Sequence, residues 1–223
     1  MGEWLDDGPG GNRAYLATPE HGNGAGVLVL HAWWGLTPDF TAICDRLAAN
    51  GFVAMAPDLY SDGATAETIP EAEALRDTLD EAGDETGAVV EQSAERLLDL
   101  PGVTSARIGV IGFSLGAYFA LQLSQSHLEL VGAAVAVYGT DDGDYSAATA
   151  AYLGHFAEND DYEPLDLVGT LETRIRAAGR EATFYTYPGT SHWFFEPSRP
   201  EYKAEAAELV WERTLAFLTE QLT

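Results

Sequence analysis

Gly112-Phe113-Ser114-Leu115-Gly116 places a serine where it could serve as a nucleophile. The apolar, β-branched run Ile108-Gly109-Val110-Ile111 precedes it, and Ala117-Tyr118-Phe119-Ala120 follows. Strand, sharp turn and helix in that order is the context of a nucleophile elbow. A residue at the apex holds strained backbone angles, at a cost of roughly 1–3 kcal/mol. Gly112 and Gly116 lack the Cβ atoms that would clash where strand and helix converge. Isolated matches to this pentapeptide are common, so a Gly-rich turn with an incidental serine competes until a base and an acid are found.

A serine hydroxyl is a weak nucleophile until a base takes its proton, and histidine suits that task near neutrality. His192 is the strongest base candidate, because it lies in a loop after a late strand in the context Gly-Thr-Ser-His-Trp. His127 falls at a helix end, His155 inside a strand, and His31 at the end of a strand upstream of the elbow. A carboxylate is needed to orient the imidazole, and chain order Ser, Asp, His is that of α/β-hydrolases. Asp160 satisfies that order, as does its neighbour Asp161, and Asp141, Asp142 and Asp144 satisfy it one strand earlier. The oxyanion that forms needs backbone N–H donors. Leu115, the residue after the serine, supplies one; Trp33, in the loop after the strand ending at His31, is the candidate for the other.

The elements that must position these groups follow from pattern. Around Arg13–Ala17 an edge strand is expected. Apolar runs at 25–31, 52–56, 108–113, 131–138, 150–157 and 182–187 predict buried strands. Thr37-Pro38-Asp39 opens a helix with an N-cap and a first-turn proline, and Asn50-Gly51 ends it. Two acidic amphipathic helices are expected between Ser61 and Asp99, separated near Gly83–Gly87. Further helices run from the elbow to about His127, over about 165–178, and from about Glu201 to Leu222. Continuous apolar strands alternating with helices predict a parallel sheet covered on both faces, in one domain spanning 1–223. Loops at 31–36, 112–116, 157–164 and 188–196 should then gather at the carboxyl edge, where such sheets bind ligands.

Composition limits the partners. The net charge is −25, with 36 acidic and 11 basic residues, so neither nucleic acid nor an anionic membrane is an expected partner. No apolar run approaches the ~20 residues of a membrane span, and the acidic start, Met1-Gly2-Glu3-Trp4, lacks the layout of a signal peptide; a cytoplasmic protein is the expectation. Cys44, the sole cysteine, shares a helical face with Phe40, Ile43, Leu47 and Ala48 and is expected in the core. No cysteine–histidine cluster has metal-ligand spacing, and no cofactor is implied.

Taken together, several segments resemble the dienelactone hydrolase family of α/β-hydrolases. They are Leu30-His31-Ala32-Trp33-Trp34-Gly35-Leu36, Ala56-Pro57-Asp58-Leu59-Tyr60 and Gly112–Ala117, then Asn159–Pro164 and Tyr187–His192. The resemblance runs from about residue 12 to the end. It implies an α/β-hydrolase fold, and its pattern of an acid, three residues and a proline selects Asp160 over Asp161. It also implies oxyanion donors at Trp33 and Leu115. Departures from the family are equally informative. Familiar members carry a cysteine nucleophile where this chain has Ser114, and a glutamate beside the oxyanion loop where it has Ala32. They hold a substrate carboxylate with arginines, one of them at the position of Glu196; Arg76 is the only arginine in the region of the other. Glu196 is expected to repel a carboxylate.

The expectation is therefore a serine hydrolase of neutral small esters or lactones, acting as a monomer with Ser114, His192 and Asp160. Trp33, Trp34, Tyr60, Phe113, Tyr118, Trp193 and Phe194 are expected around the substrate, with some of them in the core. A peptidase or acyltransferase on the same residues, or a non-catalytic module binding a small ligand, are the alternatives. The acid-rich surface, with Lys203 the only lysine, suits high salt, where screening weakens self-repulsion. The unfolding midpoint should accordingly rise from low to molar salt; a midpoint indifferent to salt would count against a halophilic source.

Overall fold

In a computed structural model describing residues 2–60, 63–82 and 85–223, the apolar runs pair into one eight-stranded sheet. The strands are β1 (Glu3–Leu5), β2 (Ala14–Ala17), β3 (Ala25–Leu30), β4 (Phe52–Pro57), β5 (Ile108–Phe113), β6 (Val131–Val137), β7 (Ala151–Asn159) and β8 (Ala182–Ser191). The helices are α1 (Pro38–Ala49), α2 (Ile69–Ala82), α3 (Glu85–Leu98), α4 (Leu115–Ser126), α5 (Leu165–Ala177) and α6 (Ala204–Leu222). Spatial order is β1-β2-β4-β3-β5-β6-β7-β8. β1 and β2 run antiparallel to their neighbours, and the pairs from β4 to β8 are parallel. This is the α/β-hydrolase arrangement. Among the described residues no helix is long and apolar enough to cross a membrane.

Strand periodicity divides the core into two layers. Val27 and Val29 of β3 join Phe40, Ile43, Cys44 and Leu47 of α1 and Val210, Trp211 and Leu218 of α6. Leu28 and Leu30 join Val90, Ala94 and Leu97 of α3, Ala117, Ala120 and Leu121 of α4, and Val168, Leu171 and Ile175 of α5. Cys44 is fully buried, and burial pushes its thiol up.

Register delivers the loops to one edge. Leu30 of β3 pairs with Gly112 of β5, so His31 and the loop after it emerge beside Ser114. Phe113 pairs with Val137 of β6, which brings Tyr138 to the same edge. Asn159 pairs with Ser191 across β7 and β8, so Asp160 and His192 leave the sheet as neighbours.

The structure departs from the expected elements in four places. β2 is an interior strand, covered by the short β1 that an acidic, Gly-rich start concealed. Arg13 lies over the Trp4 ring at 4.1 Å there, and Trp4 packs edge-on against Tyr15 at 5.3 Å. β8 continues through Pro188 and Gly189 to Ser191, where a loop was expected. Proline, which has no N–H, is tolerated because β8 is an edge strand and, among the described residues, no outer strand requires a donor from it. Thr37 occupies the extended N-cap position of α1 without a side-chain cap bond, and Asp39 instead accepts from Ser198 N–H and Oγ–H. Gly87, expected in a break between the two acidic helices, belongs to α3; 83–84, the start of that expected break, lie outside the described residues, as do 61–62.

Glycine geometry provides a paired test. A Cβ on Gly116 would lie 2.2 Å from the Leu30 carbonyl oxygen and 2.6 Å from that of His31, whereas one on Gly87 of α3 meets nothing within 4 Å. Gly116→Ala should destabilise by about 3 kcal/mol or prevent folding, and Gly87→Ala should stabilise by roughly 0.5–1 kcal/mol. Denaturant midpoints measure both, and a tolerated Gly116→Ala would contradict the close approach.

Candidate active site

β5 ends against α4 with almost no room between them. A Cβ on Gly112 would sit 2.2 Å from the Gly116 carbonyl oxygen, and one on Gly116 would strike the Leu30 carbonyl at the end of β3, so both glycines of the pentapeptide are steric necessities. Between them Ser114 holds φ 50° and ψ −113°, with its N–H donating to the Val137 carbonyl at 2.9 Å. On the other side, a Cβ on Gly139 would meet the Ser114 carbonyl oxygen at 2.5 Å. The non-glycine residues with positive φ among those described are Ser114, Tyr138 (38°) and Trp193 (64°). All border one site, in keeping with the clustering of backbone strain at functional positions.

Ser114 Oγ lies 2.9 Å from His192 Nε2. His192 Nδ1 lies 2.9 and 2.8 Å from the two carboxylate oxygens of Asp160. Asp160 Oδ1 also accepts the backbone N–H groups of Tyr162 and Glu163, each at 3.0 Å. Burial by itself would raise the Asp160 pKa. The hydrogen bond and charge of His192, with the N–H groups of Glu163 and Tyr162, outweigh it and hold the carboxyl below its usual range. Asp160 therefore carries its charge at neutral pH, and His192 presents Nδ1–H to it and a lone pair on Nε2 to the serine hydroxyl.

Of the competing acids, Asp161 is exposed beside the pair. Asp141 accepts from Tyr145, Gln122 and Gln125, and Asp144 from the Ser146 N–H. The other histidines are structural. His127 caps α4 and lies 3.4 Å from Glu91. His155 lies within hydrogen-bonding distance of Tyr187 and Thr214, and burial, with Arg213 nearby, lowers its pKa to about 3.

His31 organises the loop after β3. Burial lowers its pKa to about 4, so it is neutral. Its Nδ1–H donates to the Ala32 carbonyl at 2.7 Å, while Nε2 accepts the Leu59 N–H at 3.0 Å. The Tyr60 hydroxyl donates to the Trp33 carbonyl at 3.0 Å, and the Ala66 N–H donates to that of Trp34 at 3.0 Å. With the carbonyls so occupied, the Trp33 N–H and the Leu115 N–H have no acceptor among the described residues.

The expected substrate aromatics separate into two groups. Tyr60, Phe113 and Phe194 are core: they are buried, with Phe113 against Phe40 and Phe195, and Phe194 against Tyr138. They cannot line an open pocket. Trp33, Trp34 and Trp193 pack together with centroids 5.1–5.8 Å apart, nearly buried, and their indole N–H groups have no partner among the described residues. Tyr118 is exposed on α4, along a cleft of about 730 Å³ that also touches Leu115 and Arg76. Sequence inspection missed Tyr162, whose exposed ring lies 5.0 Å from His192, 5.2 Å from Trp193 and 5.6 Å from Trp33. Its place two residues after Asp160 was the available signal. Arg199 was missed as well; its guanidinium lies over Trp34 at 4.0 Å.

Glu196 corrects an expectation. It is 1% exposed rather than facing the substrate, and accepts the Tyr138 hydroxyl at 2.7 Å. Burial pushes its pKa up to about 8, so at neutral pH it is an uncharged acid that repels nothing. Arg76 lies on α2 and pairs with Asp77 at 2.7 Å. Among the described residues no group of three or more His, Cys, Asp or Glu side chains is placed to hold a metal ion.

Comparisons with known proteins bear on the family and the fold. Protein usf of Aquifex pyrophilus is 31% identical over 219 residues, covering 95% of this chain and 94% of that protein. A protein of Aquifex aeolicus named "Putative carboxymethylenebutenolidase" is 29% identical over 213 residues, 92% of this chain and 91% of its own length. A solved structure from Klebsiella pneumoniae, titled as a "Putative Dienelactone Hydrolase", superimposes with a TM-score of 0.86 at 26% identity, over 99% of this chain and 98% of that one. The model of the dienelactone hydrolase family matches residues 12–222, and the chain belongs to that family.

Proposed function

We propose that this protein is a serine hydrolase that cleaves neutral small-molecule carboxylic esters or lactones through an acyl-enzyme on Ser114. The observation that carries the proposal is the unbroken chain of hydrogen bonds from Ser114 Oγ through His192 to Asp160. Family membership supports hydrolysis of ester or lactone bonds.

In this mechanism His192 Nε2 takes the Ser114 proton as Oγ attacks the carbonyl carbon. Asp160, already ionised and braced by two backbone N–H groups, stabilises the imidazolium that forms. The N–H groups of Trp33 and Leu115 receive the tetrahedral oxyanion, the latter with the positive end of α4 behind it. His192 returns the proton to the leaving oxygen, then activates the water that releases the acyl group. The first transfer, from Ser114 Oγ to His192 Nε2, is between atoms already within hydrogen-bond reach.

Preference for a neutral substrate no longer rests on Glu196. Its support is the aromatic surround of Trp33, Trp193 and Tyr162, and a net charge of −25 that disfavours the approach of anions. A small-molecule substrate, no required cofactor and a monomeric enzyme complete the proposal.

A fluorophosphonate probe should label wild type and leave Ser114→Ala unlabelled. Asp160→Asn should lower kcat on neutral esters by about 10⁴-fold, while Asp161→Asn should change it by less than about threefold. Folded wild type that resists the probe would end the serine mechanism, and a larger loss in Asp161→Asn would identify a different acid.

A further inference from the structure

Tyr138 and Glu196 are buried polar groups that the proposed chemistry does not use. Tyr138 is inaccessible to solvent and sits at φ 38° just after β6. Its ring centroid lies 4.9 Å from that of His192, with the planes inclined by 53°. Its hydroxyl donates to Glu196, which belongs to the same turn as His192. The Glu196 N–H donates to the Trp193 carbonyl at 3.0 Å, closing that turn.

Two hydrogen bonds hold the nitrogens of the imidazole but leave its tilt to whatever packs on its face. The rings of Tyr138 and Tyr162 are tilted against it at 4.9 and 5.0 Å, and Trp193 meets it edge-to-face at 5.0 Å. Tyr162 is exposed, and the Trp193 indole N–H has no partner among the described residues. Tyr138 is the ring anchored by its own hydrogen bond. A phenylalanine and an apolar partner would fill the same space without desolvating a carboxyl group, so the polar pair calls for a reason beyond packing.

We propose that Tyr138, anchored by Glu196, is a positioning residue that keeps the His192 imidazole in line between Asp160 and Ser114. The proposal rests on the serine-hydrolase reading of the site.

Ionisation of Glu196 should then disturb the anchor. The groups facing it are Tyr138, Asp39 from α1, and Arg199 and Glu201 from the segment before α6. Arg46 and Glu208 line the same cavity of about 120 Å³ and pair with each other at 2.7 Å. Burial dominates, and the acid gives up its proton near pH 8. A charge forming in that enclosed place must draw water or swing toward Arg199, and either movement loosens Tyr138.

The test is steady-state kinetics of wild type, Tyr138→Phe, Glu196→Gln and Glu196→Leu on a neutral ester across the neutral to alkaline range. Tyr138→Phe and Glu196→Leu should lose on the order of tenfold in kcat with KM little changed. Glu196→Gln, which can still accept the tyrosine hydroxyl, should restore kcat and lack the alkaline decline that wild type shows through about pH 8. The glutamine variant also reports burial directly. Folded Glu196 keeps a proton that the unfolded chain releases above its ordinary value of 4.5, so wild type loses stability as pH rises from 4.5 to about 8. The denaturation midpoint of Glu196→Gln should gain on wild type over that interval. Unaltered kcat and pH profile in Tyr138→Phe would overturn the proposal, even if Glu196→Leu fails to fold. Wild type that resists the fluorophosphonate would instead remove the serine mechanism, and the proposal with it.

Discussion

One steric constraint governs this molecule: the start of α4 is pressed so closely against β5 and the end of β3 that Gly112, facing α4, and Gly116, facing the Leu30 and His31 carbonyls, have no room for a Cβ. That closeness throws Ser114 into a conformation that an L-residue rarely adopts. It also leaves the Leu115 N–H at the start of α4 without an acceptor among the described residues. Strained serine and unpaired donor therefore come from the same contact. The elbow is stable only because β3 and β6 flank β5 and hold it, with Gly139 allowing β6 to turn away beneath the serine.

Around that point the electrostatics are arranged by burial. His31 and His155 are pushed toward neutrality, and Glu196 holds a proton. Asp160 is the exception: burial would neutralise it too, but His192 and two backbone N–H groups keep it charged. The Asp160 charge, close to His192 and hydrogen-bonded to it, acts on the imidazole directly. Much of the protein's large negative charge lies on exposed acids, Asp161 beside the pair among them.

Much of this was legible in the sequence. Continuous apolar strands and the Gly-x-Ser-x-Gly turn gave the parallel sheet and the elbow, because parallel strands are apolar throughout and helices between them are amphipathic. Ser114, His192 and Asp160, chosen by chain order and family pattern, stand within hydrogen-bonding distance of one another in turn. What escaped depends on tertiary contact. β1 is three residues long and carries no periodicity. β8 runs through Pro188-Gly189 because it lies on an edge, which no local rule reveals. Glu196 looked like a charge facing the substrate, since burial against Tyr138 from a distant strand end is invisible in one dimension. Tyr60, Phe113 and Phe194 are as aromatic as Tyr162, and only the fold separates core from rim.

The central claim is a covalent acyl group on Ser114 during turnover, and rapid-quench mass spectrometry of the peptide bearing Gly112–Gly116 tests it most directly. With a neutral activated ester, that peptide should gain the mass of one acyl group at Ser114 within the first turnover and lose it as substrate is exhausted. Sustained ester hydrolysis with Ser114 never acylated, or with the acyl group on another residue, would contradict the account.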